Sequence, residues 1–282
     1  MLVTIGYFIV SFALLLKGAD ILVQSAKRLA ERAGISDFVI GLTVVAVGTS
    51  IPELATGIAS AWTQHADIAT GTVIGSNITN IGLLLGVASL ITVMNFKKKI
   101  YHRDALVLFA LSVLWYIFAI DYSISQIEGI FMLGIFVAYT ITIIKGRQET
   151  QNTAEKTIGG SLLKDAGKII LSAAALWIGT KYLIIATTDL AFALHVPTEV
   201  IAISIIALGT SLPELSVSII ALKKRQTNIM VGNIIGSNIA NIGLVGGVSS
   251  IINAIPISPY DLLISIPFMI LLIVIFIRYL QA

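Results

Sequence analysis

Apolar stretches of about twenty residues, parted by short polar connections, run along almost the whole chain. A helix needs about 20 apolar residues to cross roughly 30 Å of hydrocarbon, so this pattern predicts nine membrane spans. They fall near 3–25, 37–63, 68–94, 104–120, 127–145, 168–189, 198–222, 229–252 and 260–280. One connection is long and polar: 146–167, with Gln148, Glu149, Gln151, Asn152, Glu155, Lys156 and the pair Gly159-Gly160. It divides an all-α polytopic membrane protein into a first half, 1–145, and a second half, 168–282.

Polar residues inside the spans are few, and they recur. Gly48-Thr49-Ser50-Ile51-Pro52-Glu53 interrupts the second span, and Gly209-Thr210-Ser211-Leu212-Pro213-Glu214 interrupts the seventh. An acid in lipid costs roughly 2.5–3.5 kcal/mol on insertion scales, so each Glu marks a functional-site candidate. The proline removes a rung of the helical ladder and leaves nearby carbonyls without their usual partners. The third span carries Gly71, Gly75, Ser76, Asn77, Asn80, Gly82 and Gly86, and the eighth carries Gly232, Gly236, Ser237, Asn238, Asn241, Gly243 and Gly247. Residue 214 minus residue 53 gives a shift of 161, and the same shift takes Ser76 to Ser237 and Asn80 to Asn241 without a gap. Leu and Ile coincide by composition alone in apolar helices; Gly, Thr, Ser, Pro, Glu and Asn do not.

Composition agrees with the pattern. Of 282 residues 57% are hydrophobic and 12% charged, where soluble domains carry about 25% charged residues. The net charge of +3 belongs to short loops, where Lys and Arg set topology, and no nucleic-acid footprint or obligate protein partner is expected. Cysteine is absent, which excludes disulfides and thiolate metal sites. The N-terminal apolar run lacks a basic leader and a small-residue cleavage site and continues to Lys17 and Asp20, so it is expected to stay as the first helix.

Loop charge supplies orientation. Lys27, Arg28 and Arg32 follow span 1, Lys97, Lys98, Lys99 and Arg103 follow span 3, Lys145, Arg147, Lys156 and Lys164 follow span 5, and Lys223, Lys224 and Arg225 follow span 7. The intervening loops, holding His65 and Asp67, Asp121 and Glu128, His195 and Glu199, and Asp261, carry neither Lys nor Arg. The positive-inside rule then places the N-terminus outside and the linker 146–167 in the cytoplasm. Trp62-Thr63-Gln64 lies on an outside loop, and its counterpart Lys223-Lys224-Arg225 on an inside one. Equivalent loops on opposite sides define an inverted-topology repeat, whose ion sites sit near the midplane where the halves meet.

Thr49, Ser50 and Glu53 lie within about one turn of the expected helix break, and Ser76 and Asn80 share a face of the next helix. With Thr210, Ser211, Glu214, Ser237 and Asn241 from the second half, the donor set is oxygen throughout, without His or Cys. Hard cations fit such a set: Ca²⁺ takes about 6–8 oxygens, whereas transition metals prefer nitrogen or sulfur. Two carboxylates balance one divalent or two monovalent ions, so Ca²⁺ competes with Na⁺ or H⁺. Competition for one site makes an exchanger.

The paired Gly-Thr-Ser-x-Pro-Glu and Gly-Ser-Asn-x-x-Asn motifs resemble the alpha-repeats of the sodium/calcium exchanger family, within the calcium/cation antiporters, and the span pattern is similar to that of its prokaryotic members. The likeness covers nearly the whole chain. It implies an exchange of Na⁺ for Ca²⁺ by alternating access, without a cofactor, in the inner membrane of a prokaryotic cell. Glu53 and Glu214 become the central ligands of both ions, Thr49 and Thr210 calcium ligands, and Ser50, Ser76, Ser211 and Ser237 ligands of flanking sodium sites. The carbonyls of Ala46 and Ala207 assist, and Asn80 and Asn241 occupy the middle position. Some relatives have Asp where this chain has Asn241, which opens the question of K⁺ or H⁺ participation. The family pattern is two inverted units of five helices. The shift of 161 takes span 5 to 288–306, past Ala282, so nine of the ten are expected here.

Simpler roles compete for several residues. Ser, Thr and Asn also knit membrane helices together, and the glycines serve close packing. Lys17 and Asp20 are expected to pair three residues apart or to snorkel, as is Lys181. His65, His102 and His195 stand singly and are assigned no metal, and Asp37 is a helix-start acid. Rival functions are a Ca²⁺/H⁺ or K⁺-dependent exchanger, a cation channel and an intramembrane hydrolase. The Ca²⁺/H⁺ branch expects Asn-x-x-Glu in place of Thr-Ser-x-Pro-Glu, the channel a ring of subunits, and the hydrolase a His-Glu-x-x-His motif that this chain lacks.

Overall fold

A computed structural model describes residues 2–63, 65–84, 86, 98–146, 161–194 and 209–281. Helix α1, Leu2–Ala33, stops where Gly34 turns left-handed at φ 65° and the Ile35 N–H closes onto the Ala30 carbonyl. Ser36 caps the next segment, its Oγ accepting from the Val39 N–H at 3.3 Å, with Asp37 in the first turn as expected. Span 2 is a bent pair, α2 (Asp37–Thr49) and α3 (Ile51–Trp62), meeting at 45°. Span 3 begins as α4, Asp67–Thr79, and passes at Asn80–Leu84 into a wider π-turn.

Spans 4 and 5 are α5, Lys98–Phe118, and α6, Gln126–Gly146. The sixth is α7, Leu162–Ala193, and the described part of the seventh is α8, Leu212–Lys223. Helix α9, Thr227–Ile252, is 94% buried along its apolar window and forms the axis of the molecule. The last is α10, a π-turn at Asp261–Ser265 leading into Ile266–Gln281. Six helices are long and apolar enough to cross a membrane by length and composition among the described residues, and the bent pair makes seven. Each of the nine expected spans thus meets a helix; parts of spans 3 and 7, and most of the linker, lie outside the described residues.

Two boundaries differ from the hydropathy pattern. Helix α1 continues past position 25 to Ala33, because Lys27, Arg28 and Arg32 extend the helix without needing lipid, and α7 starts at Leu162, inside the stretch read as linker. Hydropathy detects the apolar window, not the helix that overruns it.

Contacts sort the loops onto two faces. A two-residue antiparallel ladder joins β1 (Ser123–Ile124), between spans 4 and 5, to β2 (Ile255–Pro256), between spans 8 and 9. Thr70, near the start of span 3, donates to the Pro256 carbonyl at 2.7 Å. On the opposite face Asp165, 3% exposed, is clamped by Arg28 at 3.0 Å and Arg32 at 3.1 Å. Lys224, just after α8, pairs there with Asp20 at 2.7 Å, and Tyr101 donates to Asn228. Helix α3 therefore ends on the face of the ladder and its repeat mate α8 on the basic face: the two copies run in opposite directions through one core.

That core forms where backbones touch. A Cβ on Gly232 would come within 2.8 Å of the Leu42 nitrogen, and one on Gly41 within 2.9 Å of Ile229 Cα, so α2 and α9 cross with only hydrogens between them. Helices α1 and α7 pack along each other outside this core, with Gly179 facing the Leu15 backbone and Gly18 facing the Ser172 carbonyl.

Candidate functional site

Both interrupted helices break at the serine of the repeated motif. Ser50 has φ −83° and ψ 9°, Ser211 φ −86° and ψ 4°, and in each copy the proline occupies the first turn of the helix that follows. That turn satisfies no donor through the missing N–H, so proline costs nothing there while it ends the helix before it. Glu53 and Glu214 each fall in that first turn, where the N-terminal ends of α3 and α8 direct their partial positive charge at a carboxylate. Both side chains are fully buried.

The two halves exchange contacts at this level. Ser50 Oγ donates to Glu214 Oε1 at 3.3 Å across the pseudo-two-fold, and Ser76 Oγ donates to Glu53 Oε1 at 3.5 Å. Thr49 Oγ1 lies 3.1 Å from the Ala46 carbonyl, 3.2 Å from Asn233 Oδ1 and 3.2 Å from Ser237 Oγ. One hydroxyl proton serves only one acceptor at a time, so oxygen lone pairs outnumber protons in this cluster. Glu53 Oε2, Glu214 Oε2, Ser211 Oγ, Asn241 Oδ1 and both amide atoms of Asn80 are buried without a hydrogen-bond partner. Buried acceptors are nearly always satisfied in proteins, and the carboxylate, hydroxyl and amide oxygens of this set fit a hard cation that would complete them.

Helix widening occurs at the same level. The π-turns begin at Asn80 and at Asn241, residues equivalent by the repeat. A π-turn releases backbone carbonyls from the ordinary ladder, and such turns gather at functional sites. Among the residues marked in the sequence, Thr49, Ser50, Glu53, Ser76, Ser211, Glu214, Ser237, Asn80 and Asn241 are all buried. Ala46 presents its carbonyl to Thr49. Thr210 is half-buried and lines a cavity of about 660 Å³ shared with Pro52, Thr56, Thr63, Thr180 and Lys181. Ala207 and His195 lie outside the described residues.

Three asparagines belong here that the sequence reading passed over. Asn77 donates to the Asn238 carbonyl at 3.3 Å and accepts from Asn241 Nδ2 at 3.1 Å, joining α4 to α9. Asn238 donates to the Ile234 carbonyl at 2.6 Å while its Oδ1 has no partner. These two match under the shift of 161, so the repeat held their signal. Asn233 has Thr72 as its counterpart and no such signal; it accepts from Thr49 and donates to Ser218 at 3.3 Å. One expected pair is corrected. Asp20 takes Lys224 at 2.7 Å and Gln24 at 2.8 Å rather than Lys17, because a lysine from another helix reaches the carboxylate without bending along its own.

Comparison with known proteins agrees with this architecture. The family model described as "Sodium/calcium exchanger protein" matches residues 3–145 and 165–281. The chain is 33% identical over 312 residues to the sodium/calcium exchanger MaX1 of Methanosarcina acetivorans, covering 95% of this chain and 89% of that protein. It is 34% identical over 273 residues to the inner membrane protein YrbG of Escherichia coli, covering 92% and 83%. A solved structure of the sodium-calcium exchanger NCX_Mj, soaked with Na⁺ and Ca²⁺, superposes with a TM-score of 0.85 at 31% identity over 99% of this chain and 92% of that one. Motif, inverted fold and full-length likeness thus coincide, and the chain belongs to the sodium/calcium exchanger protein family of integral membrane proteins.

Proposed function

We propose that this chain exchanges Na⁺ for Ca²⁺ across the membrane by alternating access at the level of Glu53 and Glu214. The observation that carries the reading is a pair of fully buried carboxylates, one from each half, each with one oxygen on a serine hydroxyl and the other without a partner. Two such groups in a low-dielectric interior need compensation, from bound cations or from protonation. One Ca²⁺ or two or more Na⁺ supply that compensation, and the empty, doubly charged site is too costly to carry across, which couples the fluxes. In this reading Glu53 and Glu214 bind both ions. Thr49, Thr210 and the Ala46 and Ala207 carbonyls complete calcium, the four serines hold flanking sodium, and Asn80 and Asn241 add neutral oxygen at the centre.

Alternation has support in an asymmetry. The repeat makes Thr49 equivalent to Thr210 and Ser237 to Ser76, yet Thr49 meets Ser237 while Thr210 faces the 660 Å³ cavity. Two equivalent halves in unequal contact describe one of two related states, and exchanging the roles of the halves generates the other. Helices α1 and α7, which lack the ligand motif, are the elements that move in this scheme. With positive loops inside, residues 1–145 and 168–282 form the two halves, the linker is cytoplasmic, the N-terminus is outside, and the cavity opens outward.

Radioactive calcium uptake into vesicles tests the reading. An imposed Na⁺ gradient drives uptake that is insensitive to a proton uncoupler and needs no K⁺. Uptake driven by a H⁺ gradient and abolished by the uncoupler would establish Ca²⁺/H⁺ exchange instead. A strict K⁺ requirement would establish a K⁺-dependent exchanger, and steady current without a counter-ion gradient a channel.

A further inference from the structure

A separate groove of about 460 Å³ lies between α1 and α7, away from the carboxylates. Its α1 wall is one helix face, in which Lys17, Gln24 and Arg28 interleave with Leu14 and Ile21, and its α7 wall places Lys168 beside Leu171 and Ala175. The helices are antiparallel, with Gly18 level with Ser172 and Arg28 on Asp165. Lys17 therefore stands about 7.5 Å from Lys168 along the axes at 1.5 Å per residue, and roughly 16 Å deeper than Arg28. Both lysines are exposed, and the nearby acids are already engaged. Asp20 is held by Lys224, and Asp165 by two arginines. Each lysine contributes one positive charge, while no acid is among the described residues that line the groove.

We propose that this groove binds one anionic phospholipid from the leaflet at the Arg28 end, its phosphate between Lys17 and Lys168 beside Ile21 and Leu171, and an acyl chain running deeper past Leu14 and Ala175. Asp20 and Asp165 are each held by other partners, and the net positive charge of a lining without an acid asks for an anion. The apolar walls above and between the cations ask for hydrocarbon attached to it. Gln24 offers an uncharged donor to glycerol or ester oxygens, since its amide nitrogen reaches Asp20 at 2.8 Å and has a second hydrogen. A lysine this deep in a span also gains by placing its ammonium on a lipid phosphate, with its methylene stem along the helix. The groove touches neither Glu53 nor Glu214, so the proposal stands whether or not the transport reading does.

The test is native mass spectrometry of the purified full chain, titrated with phosphatidylglycerol and, separately, with phosphatidylcholine of the same acyl chains. Lys17→Gln, Lys168→Gln and the double variant are compared with Arg278→Gln, a control on α10. One phosphatidylglycerol is expected to bind in preference to phosphatidylcholine. Each lysine change should weaken it about fivefold and the double change about 25-fold, with the control unchanged. Equal binding of the two lipids, or phosphatidylglycerol binding untouched by the lysine variants, would overturn the proposal. So would displacement by glycerol phosphate at the same concentration as the lipid, because the site would then recognise phosphate without a tail. Elution of every variant at the wild-type position on size exclusion separates loss of binding from loss of fold.

Discussion

Replacing Asp20 by Asn removes one charge from the contact that fastens α1 to α8 on the basic face. Lys224 Nζ lies 2.7 Å from Asp20 Oδ1 with the side chains 36% and 28% exposed, and Gln24 steadies the carboxylate from one turn away. Exposed ion pairs contribute about 0.2–1 kcal/mol after solvent screening. A pair at the rim of a membrane groove, with its acid already oriented, belongs in the upper half of that range, about 0.5–1 kcal/mol. Under the repeat Asp20 maps to Lys181 and Lys224 maps to Thr63, and both counterparts line the 660 Å³ cavity on the other face. No acid is among the described residues that line that cavity with Lys181, so in the proposed cycle the bias is one-sided: the pair favours the state open at Thr63. Its loss shifts the equilibrium between the two open states by about two- to fivefold. The chain has no cysteine, so single reporters at Thr63→Cys and at Ser216→Cys can be read without background. Ser216 is 7% exposed and lines the groove beside Asp20 and Lys224. In Asp20→Asn the ratio of Ser216→Cys to Thr63→Cys labelling by a hydrophilic maleimide rises about two- to fivefold, and Lys224→Gln reproduces it. The charge swap Asp20→Lys with Lys224→Asp restores the original ratio. An unchanged ratio in Asp20→Asn, or an opposite shift in Lys224→Gln, would refute the reasoning.

Further outcomes follow from the same contacts. Glu53→Gln and Glu214→Gln each abolish Na⁺-driven calcium uptake while the protein elutes normally on size exclusion; uptake at the wild-type rate in either would remove that residue from the site. Thr49→Val keeps the shape but loses the hydroxyl shared among Ala46, Asn233 and Ser237. It weakens calcium affinity about tenfold, corresponding to roughly 1–2 kcal/mol for one buried hydrogen-bonding group, measured from the concentration dependence of uptake. Gly236→Ala puts a methyl group against the Leu42 carbonyl and within 2.6 Å of Ala46 Cβ. Overpacking of about 1–3 kcal/mol or more lowers the melting temperature, whereas Gly6→Ala, inside α1 with open space around it, does not lower it, since alanine is the better helix former.

Much of this was legible in sequence because the membrane imposes a strict rule and the repeat applies it twice. Hydropathy found the spans because unsatisfied backbone cannot face lipid. The shift of 161 found the ligand candidates because chance does not repeat Gly, Pro, Glu and Asn in register. What escaped depends on tertiary approach. Asn233 bonds Thr49 only because α9 crosses α2 at Gly41 and Gly232, and local spacing holds no trace of that crossing. Lys17 stood three residues from Asp20, yet the partner came from 204 residues away, as 224 minus 20 gives. Asn77 and Asn238 also match under the repeat, but four-residue helix-face spacing groups Ser76 with Asn80 and leaves the intervening asparagine out. The repeat also predicts equal halves, and it is blind to the unequal contacts of Thr49 and Thr210, which belong to one conformation rather than to the sequence.

The small ladder between Ser123–Ile124 and Ile255–Pro256 looks minor beside the helices, yet it bears on where the proposed alternation can hinge. It stitches a loop of the first half to a loop of the second, and Thr70 on Pro256 and Tyr101 on Asn228 add stitches of the same kind on the two faces. Neither half can swing as a unit without tearing them. The arginine clamp on Asp165, meanwhile, yokes α1 of one half to α7 of the other. The seam between the two repeats is thus crossed on both faces, and in the proposed cycle the mechanical joint runs across it: a yoke with one helix from each copy, sliding on a frame to which both copies contribute.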